Sequence, residues 1–191
     1  MRALRAAVGA VLSLVAVVLL SGSAQSSTFI RQGLEKLTSD DERVLVGRVL
    51  ETRSYWNADH SFIFTDVRVS PQQVLKGDAS LDDVTFTLMG GSVGDLTTLV
   101  VDGPELIPGS DYVLFLKHED LPGERHRLTI GSLEQGVFDV SDSPGGRRAV
   151  SQAAHGALLA DPAGIADPPG GTDGLSLDDM IDQVRRLAGD R

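Results

Sequence analysis

A serine set among glycines is the part of this sequence whose spacing comes closest to a catalytic motif. Residues 90–94 read GGSVG, which fits the G-x-S-x-G nucleophile elbow, where a strained turn between a strand and a helix exposes the serine hydroxyl. A strand is predicted before Ser92, but the apolar and β-branched residues after it, 95–101, predict a second strand instead of the required helix. The pattern therefore predicts a glycine-rich turn, in which glycine supplies positive φ or close backbone approach.

A serine hydrolase stays open as an alternative function, because histidines follow the serine. Such an enzyme needs a histidine as general base and an acid that orients it. His118 and His126 come after Ser92 in the chain, and Asp102 and Asp111 lie in between. In a chain with 27 acidic residues this order arises easily by chance. We predict no catalytic residue, and we keep a small hydrolase using Ser92 with His118 or His126 as the alternative.

The sequence gives less support to a metal site than to a ligand-binding site. The chain contains no cysteine, which excludes thiolate metal sites and cysteine nucleophiles. Its four histidines are His60, His118, His126 and His155. A transition-metal site would require His118 and His126 to converge with Glu119 across a hairpin. We predict no metal and no cofactor.

A pair of aromatic residues beside a predicted hairpin turn is the stronger candidate for a binding site. Tyr55 and Trp56 adjoin a turn-forming segment that ends at His60. Aromatic side chains at a hairpin tip bind sugars or peptides, because they combine a large contact area with a polar edge. Alternatively, the tryptophan folds back over the end of the sheet. The predicted ligand-binding residues are those of the tip and of the glycine turn: Tyr55, Trp56, His60, Gly90, Gly91 and Ser92.

The N-terminal segment predicts export. Arg2 and Arg5 precede an apolar run, residues 6–20, and small residues follow it up to Ala24. This order is the signature of a secretory signal peptide, and the run is shorter than the about 20 residues that a membrane-spanning helix needs. We predict a signal peptide over residues 1–24 and a periplasmic or extracellular protein, with an uncleaved anchor as the alternative.

The charge balance argues against nucleic acid as a partner. The net charge is −10, and loss of residues 1–24 would remove two arginines and no acid. Such a surface repels phosphate backbones and anionic lipid headgroups. We expect a monomer with a protein, peptide or glycan partner outside the cytoplasm, no nucleic acid, and no membrane association after signal cleavage.

The elements that must position these residues are mainly strands. Apolar residues alternate with period two in runs separated by Gly, Pro or Asp. The predicted strands cover residues 44–50, 62–69, 84–88, 96–101, 112–116, 126–130, 137–140 and 148–150. With no helical pattern between them, an antiparallel barrel or sandwich is favoured. Gly47 predicts a bulge, and Pro71 predicts an edge or a bend in its strand.

Helical spacing of apolar residues flanks the strands on both sides. It predicts a helix over residues 28–39 and another over 177–188, with Ser176 as the N-cap of the second. We expect the second helix to dock on the strands through an apolar stripe: Leu177, Met180, Ile181, Val184 and Leu187.

A change of composition separates the strands from the last helix. Residues 142–174 shift to Ser, Pro, Gly, Ala and Asp, which predicts a loose linker. The predicted division is a signal peptide (1–24), a β-barrel domain with a leading helix (25–150), a Pro/Gly-rich linker (151–174) and a C-terminal helix (175–191).

The order of these pieces resembles a group of exported bacterial proteins of unknown function. That group has a short leading helix, a V-V-x-G-x-V strand, an I-x-T-x-V-x-V…V-L-K-G strand, a Gly-Gly turn, a G-x-x-Y-x-L-F-L strand and a G-x-F-x-V strand. The matching pieces here are residues 45–49, 63–67 with 74–77, 90–91, 109–116 and 136–140. The resemblance covers residues 28–150 and implies an OB-like barrel, a fold that many unrelated binding proteins share.

We therefore expect a mainly β protein: an antiparallel OB-like barrel or sandwich with a short N-terminal helix and a C-terminal amphipathic helix. The expected function is that of an exported non-catalytic binding or accessory protein. One form is a partner or inhibitor of a secreted protease, by analogy with tissue inhibitors of metalloproteases, whose barrel is similar but depends on an N-terminal cysteine that this chain lacks. A structural component of the cell envelope is a further alternative.

Overall fold

The computed structural model of the protein describes residues 32–154 and 174–189. Its helices and strands, in chain order, are α1 (Leu34–Asp40), β1 (Arg43–Trp56), β2 (Ile63–Lys76), β3 (Val84–Met89), β4 (Gly91–Val93), β5 (Leu96–Thr98), β6 (Asp111–Leu121), β7 (Glu124–Ile130), β8 (Val137–Ser143), β9 (Gly146–Ser151), β10 (Leu175–Ser176) and α2 (Leu177–Gly189). Short 3-10 helices lie at Leu133–Gly136 and Gln152–Ala154. Neither α1 nor α2 is long and apolar enough to cross a membrane, and no other described helix is.

Eight of the strands form one antiparallel sheet, which confirms the mainly β, antiparallel fold. The strand order is β10-β9-β8-β6-β1-β2-β3, and β7 pairs with the C-terminal part of β6. β4 and β5 form a separate hairpin. Within the described residues no backbone pairing joins β3 to β7, so the sheet is open where a closed barrel would be sealed.

The central strands are buried on both faces, and each face has its own core. The helix-side core, against α1 and α2, comprises Leu34, Leu37, Val44, Val46, Leu75, Val113, Phe115, Phe138, Ala149, Leu177, Met180, Ile181 and Val184. The inner core, on the other face, comprises Leu45, Val49, Val67, Val69, Val84, Phe86, Tyr112, Leu114, Leu116, Ile130 and Val137. Alternation along a strand sends consecutive side chains to opposite faces, which is why β1 and β6 contribute to both cores.

The C-terminal helix docks as its apolar stripe predicts. Met180 and Val184 are fully buried in the helix-side core, and Leu187 packs at its edge. The Ser176 hydroxyl accepts a hydrogen bond from the Asp179 backbone N–H at 3.4 Å, which confirms Ser176 as the N-cap.

The bulge predicted at Gly47 is confirmed by a register shift between Val46 and Gly47. A Cβ at this position would lie 2.6 Å from Val69 Cγ1 and 2.9 Å from the Ser70 carbonyl oxygen. Glycine therefore allows β1 and β2 to approach closely here.

Pro71 lies within a continuous strand, at a position that resembles the predicted edge. β2 runs without a break from Ile63 to Lys76. β3 pairs with β2 only as far as Val69, so at Pro71 the strand has β1 as its one described neighbour. The missing proline N–H therefore costs no ladder bond on the other side, as at a sheet edge.

The boundaries of the other predicted elements also shift. Residues 142–151 complete β8 and β9, because the Ser-Pro-Gly-Gly sequence at 143–146 is the turn of a hairpin. The strand predicted at 148–150 is therefore present and longer, whereas the loose linker predicted from the composition of 142–174 does not begin at residue 142. Residues 152–154 form a 3-10 turn, and 155–173 lie outside the described residues, as does the predicted signal peptide. The leading helix, predicted over residues 28–39, is α1, Leu34–Asp40, and residues 28–31 also lie outside.

Candidate binding surface

The turn between β1 and β2 is held by a buried asparagine that the sequence analysis did not single out. Asn57 Oδ1 accepts hydrogen bonds from the backbone N–H groups of Ser61 at 2.9 Å and Phe62 at 3.0 Å. Its Nδ2 donates to the Pro122 carbonyl at 3.4 Å. Because Pro122 lies in the turn between β6 and β7, one hairpin tip supports the other. The sequence signal for this role was an asparagine within a predicted turn, since asparagine side chains commonly bond to the backbone of turns.

The structure separates the two aromatic residues predicted to act together. Trp56 pairs with Ile63 and Tyr55 with Phe64, so their side chains lie on opposite faces of the hairpin. The half-buried Trp56 ring stacks on the exposed His60 ring, with centroids 6.1 Å apart and planes 12° from parallel. Trp56 and His60 thus form one contact surface at the tip, without Tyr55.

Tyr55 belongs instead to a polar network on the opposite face. Its hydroxyl donates to Asp66 Oδ1 at 3.1 Å and accepts from Arg127 Nη2 at 3.1 Å. Burial raises the pKa of the Tyr55 phenol, and the nearby charge of Asp66 adds to the rise. Arg127 Nη2 also donates to Thr87 Oγ1 at 2.8 Å. Since Arg127 lies on β7 and Thr87 on β3, this side chain bridges the open side of the sheet.

The glycine turn packs against the β1–β2 hairpin. A Cβ on Gly91, whose φ is 129°, would lie 2.3 Å from Thr65 Oγ1 and 2.4 Å from Ser54 Oγ. The Gly90 N–H donates to the Ile63 carbonyl at 2.8 Å, and the Gly90 carbonyl accepts a hydrogen bond from Thr65 Oγ1 at 2.8 Å. Both glycines therefore hold the β4–β5 hairpin beside the tip, in the close approach that the sequence predicted.

Ser92 lies on an exposed strand, and the element after it is β5 instead of a helix. Its hydroxyl is 2.8 Å from Thr97 Oγ1, across the β4–β5 hairpin. In the part of the chain that the structure describes, Ser92 has no hydrogen bond to a histidine. No general base is therefore placed on this hydroxyl among those residues.

His118 and His126 do come together across the β6–β7 hairpin. Their rings stack with centroids 4.3 Å apart, and His118 Nδ1 lies 2.8 Å from Glu42 Oε2. The hydrogen bonds with His118 lower the pKa of the Glu42 carboxyl. Glu119 pairs with Lys117 Nζ at 2.6 Å. Between residues 32 and 154 and in α2, no group of three or more acidic or histidine side chains is placed to hold a metal ion.

The sequence analysis missed an exposed apolar segment that follows β4. We call residues 96–107 the rim segment. It contains four of the six exposed large apolar side chains among the described residues: Leu96, Leu99, Val101 and Ile107. Leu99 is 87% exposed and Val101 80% exposed. The signal was the apolar run 99–101, which we interpreted as a strand, whereas β5 ends at Thr98.

Hydrogen bonds to backbone groups of the rim segment hold it in place, one from within the segment and the others from outside it. The Gly103 N–H donates to the Val100 carbonyl at 3.1 Å, and the Ile107 N–H donates to the buried Tyr112 hydroxyl at 2.9 Å. Gln152 binds both backbone groups of Glu105, accepting from its N–H at 3.0 Å and donating to its carbonyl at 2.7 Å. The exposed side chains therefore project from a fixed backbone.

In the stretch of sequence that contains the rim segment, the charged residues are all acidic. Residues 77–116 contain seven acidic residues and no Lys or Arg. Three of these acids lie within or next to the rim segment: Asp95, Asp102 and Glu105. Apolar side chains flanked by carboxylates complement an apolar surface flanked by basic side chains.

Comparison with known proteins assigns no family to this chain. No protein-family model matches it, and a search of curated proteins finds no match. The resemblance to exported bacterial proteins therefore stays a prediction.

Proposed function

We propose that this protein is an exported, non-catalytic binding protein that engages another protein outside the cytoplasm through the rim segment. The concentration of exposed Leu, Val and Ile side chains in residues 96–107 carries the proposal. Leaving apolar surface in water costs about 25 cal/mol per Å², and contiguous exposed apolar surface marks interaction sites in soluble proteins.

The chemistry of the segment favours a protein partner with an apolar patch flanked by Lys and Arg. Leu99 and Val101 are aliphatic and offer no flat face on which a sugar ring would stack. The acidic residues on either side, Asp102 and Glu105 among them, would pair with basic groups and speed the encounter.

The predicted binding residues take different parts in this proposal. Trp56 and His60 form a second contact at the same end of the sheet, because Gly91 holds the β4–β5 hairpin against the β1–β2 hairpin. Gly90, Gly91 and Ser92 position the hairpin that leads into the rim segment. A partner that contacts both regions would cover the exposed His60 ring.

We also propose that the open sheet is an OB-like barrel whose seam, between β3 and β7, is closed by side chains. Phe86 on β3 and Ile130 on β7 belong to the same inner core. Arg127 on β7 reaches Thr87 on β3 and Asp66 on β2. Val100 and Gly103 of the rim segment line a small pocket together with Leu88 of β3 and Ile130 of β7, so the rim segment lies beside this seam.

Site-specific photocrosslinking tests the proposed function. A photoreactive residue at position 99 of the secreted chain is expected to capture one protein from the culture supernatant or the envelope fraction. The captured protein, once purified, should bind the wild-type chain and lose affinity about tenfold or more for Leu99→Ser and Val101→Ser.

Leu81→Ser is the matched control, since Leu81 is 58% exposed outside the rim segment, and it should bind like wild type. Equal binding by all variants would refute the proposal. Crosslinks to a second copy of this chain would instead make the segment a self-association surface, which sedimentation of wild type and Leu99→Ser would show.

A further inference from the structure

One carboxylate at the start of β6 gathers donors from three other strands. Asp111 accepts hydrogen bonds from Arg48 Nε at 2.7 Å and Nη2 at 3.1 Å, so this guanidinium binds it in bidentate fashion. Arg147 Nη2 donates to it at 2.6 Å and Gln72 Nε2 at 2.9 Å. The Asp111 side chain is 10% exposed, and these donors, Arg48 first, hold its pKa below the usual range.

The cluster contains two guanidinium groups and two carboxylates, and the two carboxylates differ in how far they are buried. Two guanidinium groups share one largely buried carboxylate, and the other acid near Arg147, Asp142, is 97% exposed with Oδ1 4.0 Å from Nε. Arg68 on β2 shows the opposite arrangement, because it is flanked by two carboxylates, Glu51 and Asp83, each at 2.9 Å. In a chain of net charge −10, the cluster around Asp111 is a place where two arginines balance the nearby carboxylates, and only one of these carboxylates is largely buried.

A depression opens directly beside the two arginines. Its volume is about 490 Å³, and its polar lining residues are Arg48, Gln72, Ser110, Asp111, Asp142 and Arg147. A guanidinium has five N–H donors. Asp111 takes two of them from Arg48 and one from Arg147, which leaves further donors of both side chains for a ligand.

We propose that Arg48 and Arg147, oriented by Asp111 and Gln72, form a binding site for an oxyanion, either a carboxylate or a phosphoryl group. The planar fork of arginine matches the oxygen pairs of both groups. A carboxylate that fixes the guanidinium orientation in advance lowers the entropic cost of binding such an anion. This site is separate from the rim segment and does not depend on the proposed protein partner.

Titration of the secreted chain, residues 25–191, with inorganic phosphate and with acetate at low ionic strength tests the site. Amide NMR shifts should saturate around Asp111 with a Kd of about 1–10 mM. Arg48→Gln and Arg147→Gln should each weaken binding about tenfold. Arg68→Gln, the matched control, should bind like wild type. If phosphate binds more tightly than acetate, the ligand is a phosphoryl group. If acetate binds as tightly as phosphate or more tightly, the ligand is a carboxylate.

Two results would overturn the proposal. One is the absence of saturable shifts with either anion in wild type. The other is an equal loss of binding in Arg68→Gln, which would indicate general charge attraction. Thermal unfolding of each variant keeps the comparison interpretable, and Arg147 lies on the exposed β8–β9 hairpin, where substitution leaves both cores intact.

Discussion

A buried carboxylate after the first helix makes the stability of this protein depend on pH. Asp41 is 1% exposed, and neither of its carboxylate oxygens has a hydrogen-bond partner among the described residues. Gly131 packs directly against it, since a Cβ there would lie 1.8 Å from Asp41 Oδ1. Burial raises the pKa of the Asp41 carboxyl from 3.8 to about 6, against the opposing charge of Lys117.

The raised pKa means that the folded state binds the proton more tightly than the unfolded chain does. The stabilisation from this group is therefore complete below the unfolded pKa of 3.8 and is lost as pH rises through about 6. The difference of about two pKa units corresponds to about 3 kcal/mol of the free energy of unfolding.

Replacing the carboxylate by a neutral group of the same shape should remove this loss. Asp41→Asn is expected to raise the free energy of unfolding at pH 7.5 by up to about 3 kcal/mol relative to wild type, and to change it little at pH 4. Urea unfolding of both proteins between pH 4 and pH 8 measures the difference directly. The exposed Asp95→Asn is the control and should show a flat difference across this range.

The reasoning would be refuted by a gain in Asp41→Asn that is equal at pH 4 and pH 7.5. Destabilisation at pH 7.5 would refute it as well, because it would mean that the ionised carboxylate has a stabilising partner in the folded protein.

Three further predictions concern the seam, the glycine turn and the serine. Arg127→Ala should lower the free energy of unfolding by about 2 kcal/mol, since it removes bonds to three partners. Hydrogen exchange should speed up in β3 and β7, and equal acceleration in β9 would contradict a local seam. Gly91→Ala should cost about 2 kcal/mol or more from strain and overlap, measured by urea unfolding, whereas Gly145→Ala, with open space around it, should cost little. A fluorophosphonate probe should leave Ser92 unlabelled, because its hydroxyl contacts Thr97 and no described histidine forms a hydrogen bond with it. Labelling of the wild type that is lost in Ser92→Ala would instead support the alternative function, a serine hydrolase.

Period-two alternation was enough to predict most of the strands, and the same alternation sends neighbouring residues to opposite faces. It carries the same information about Tyr55 and Trp56, whose adjacency in sequence already implies opposite faces. Treating them as one pair ignored that rule. The C-terminal helix was equally accessible, since its stripe and cap are local features.

The sites were harder to predict because their signals are not local. The cluster around Asp111 takes its members from β1, β2, β6 and β9. It could be predicted only if the register of all four strands were known. The rim segment escaped prediction for a different reason. A run of Leu and Val predicts a buried strand from its composition, and only the end of β5 at Thr98 leaves these side chains in solvent.

The two-faced burial of the central strands has a consequence for the order of events during synthesis. Val46 and Phe115 lie early or midway in the chain, yet α2, which covers this face together with α1, follows every described strand. A chain that grows from its N-terminus therefore carries an apolar sheet face that stays partly uncovered until α2 emerges. Until then, this face is a natural target for chaperones, and the helix-side core is complete only after α2 docks.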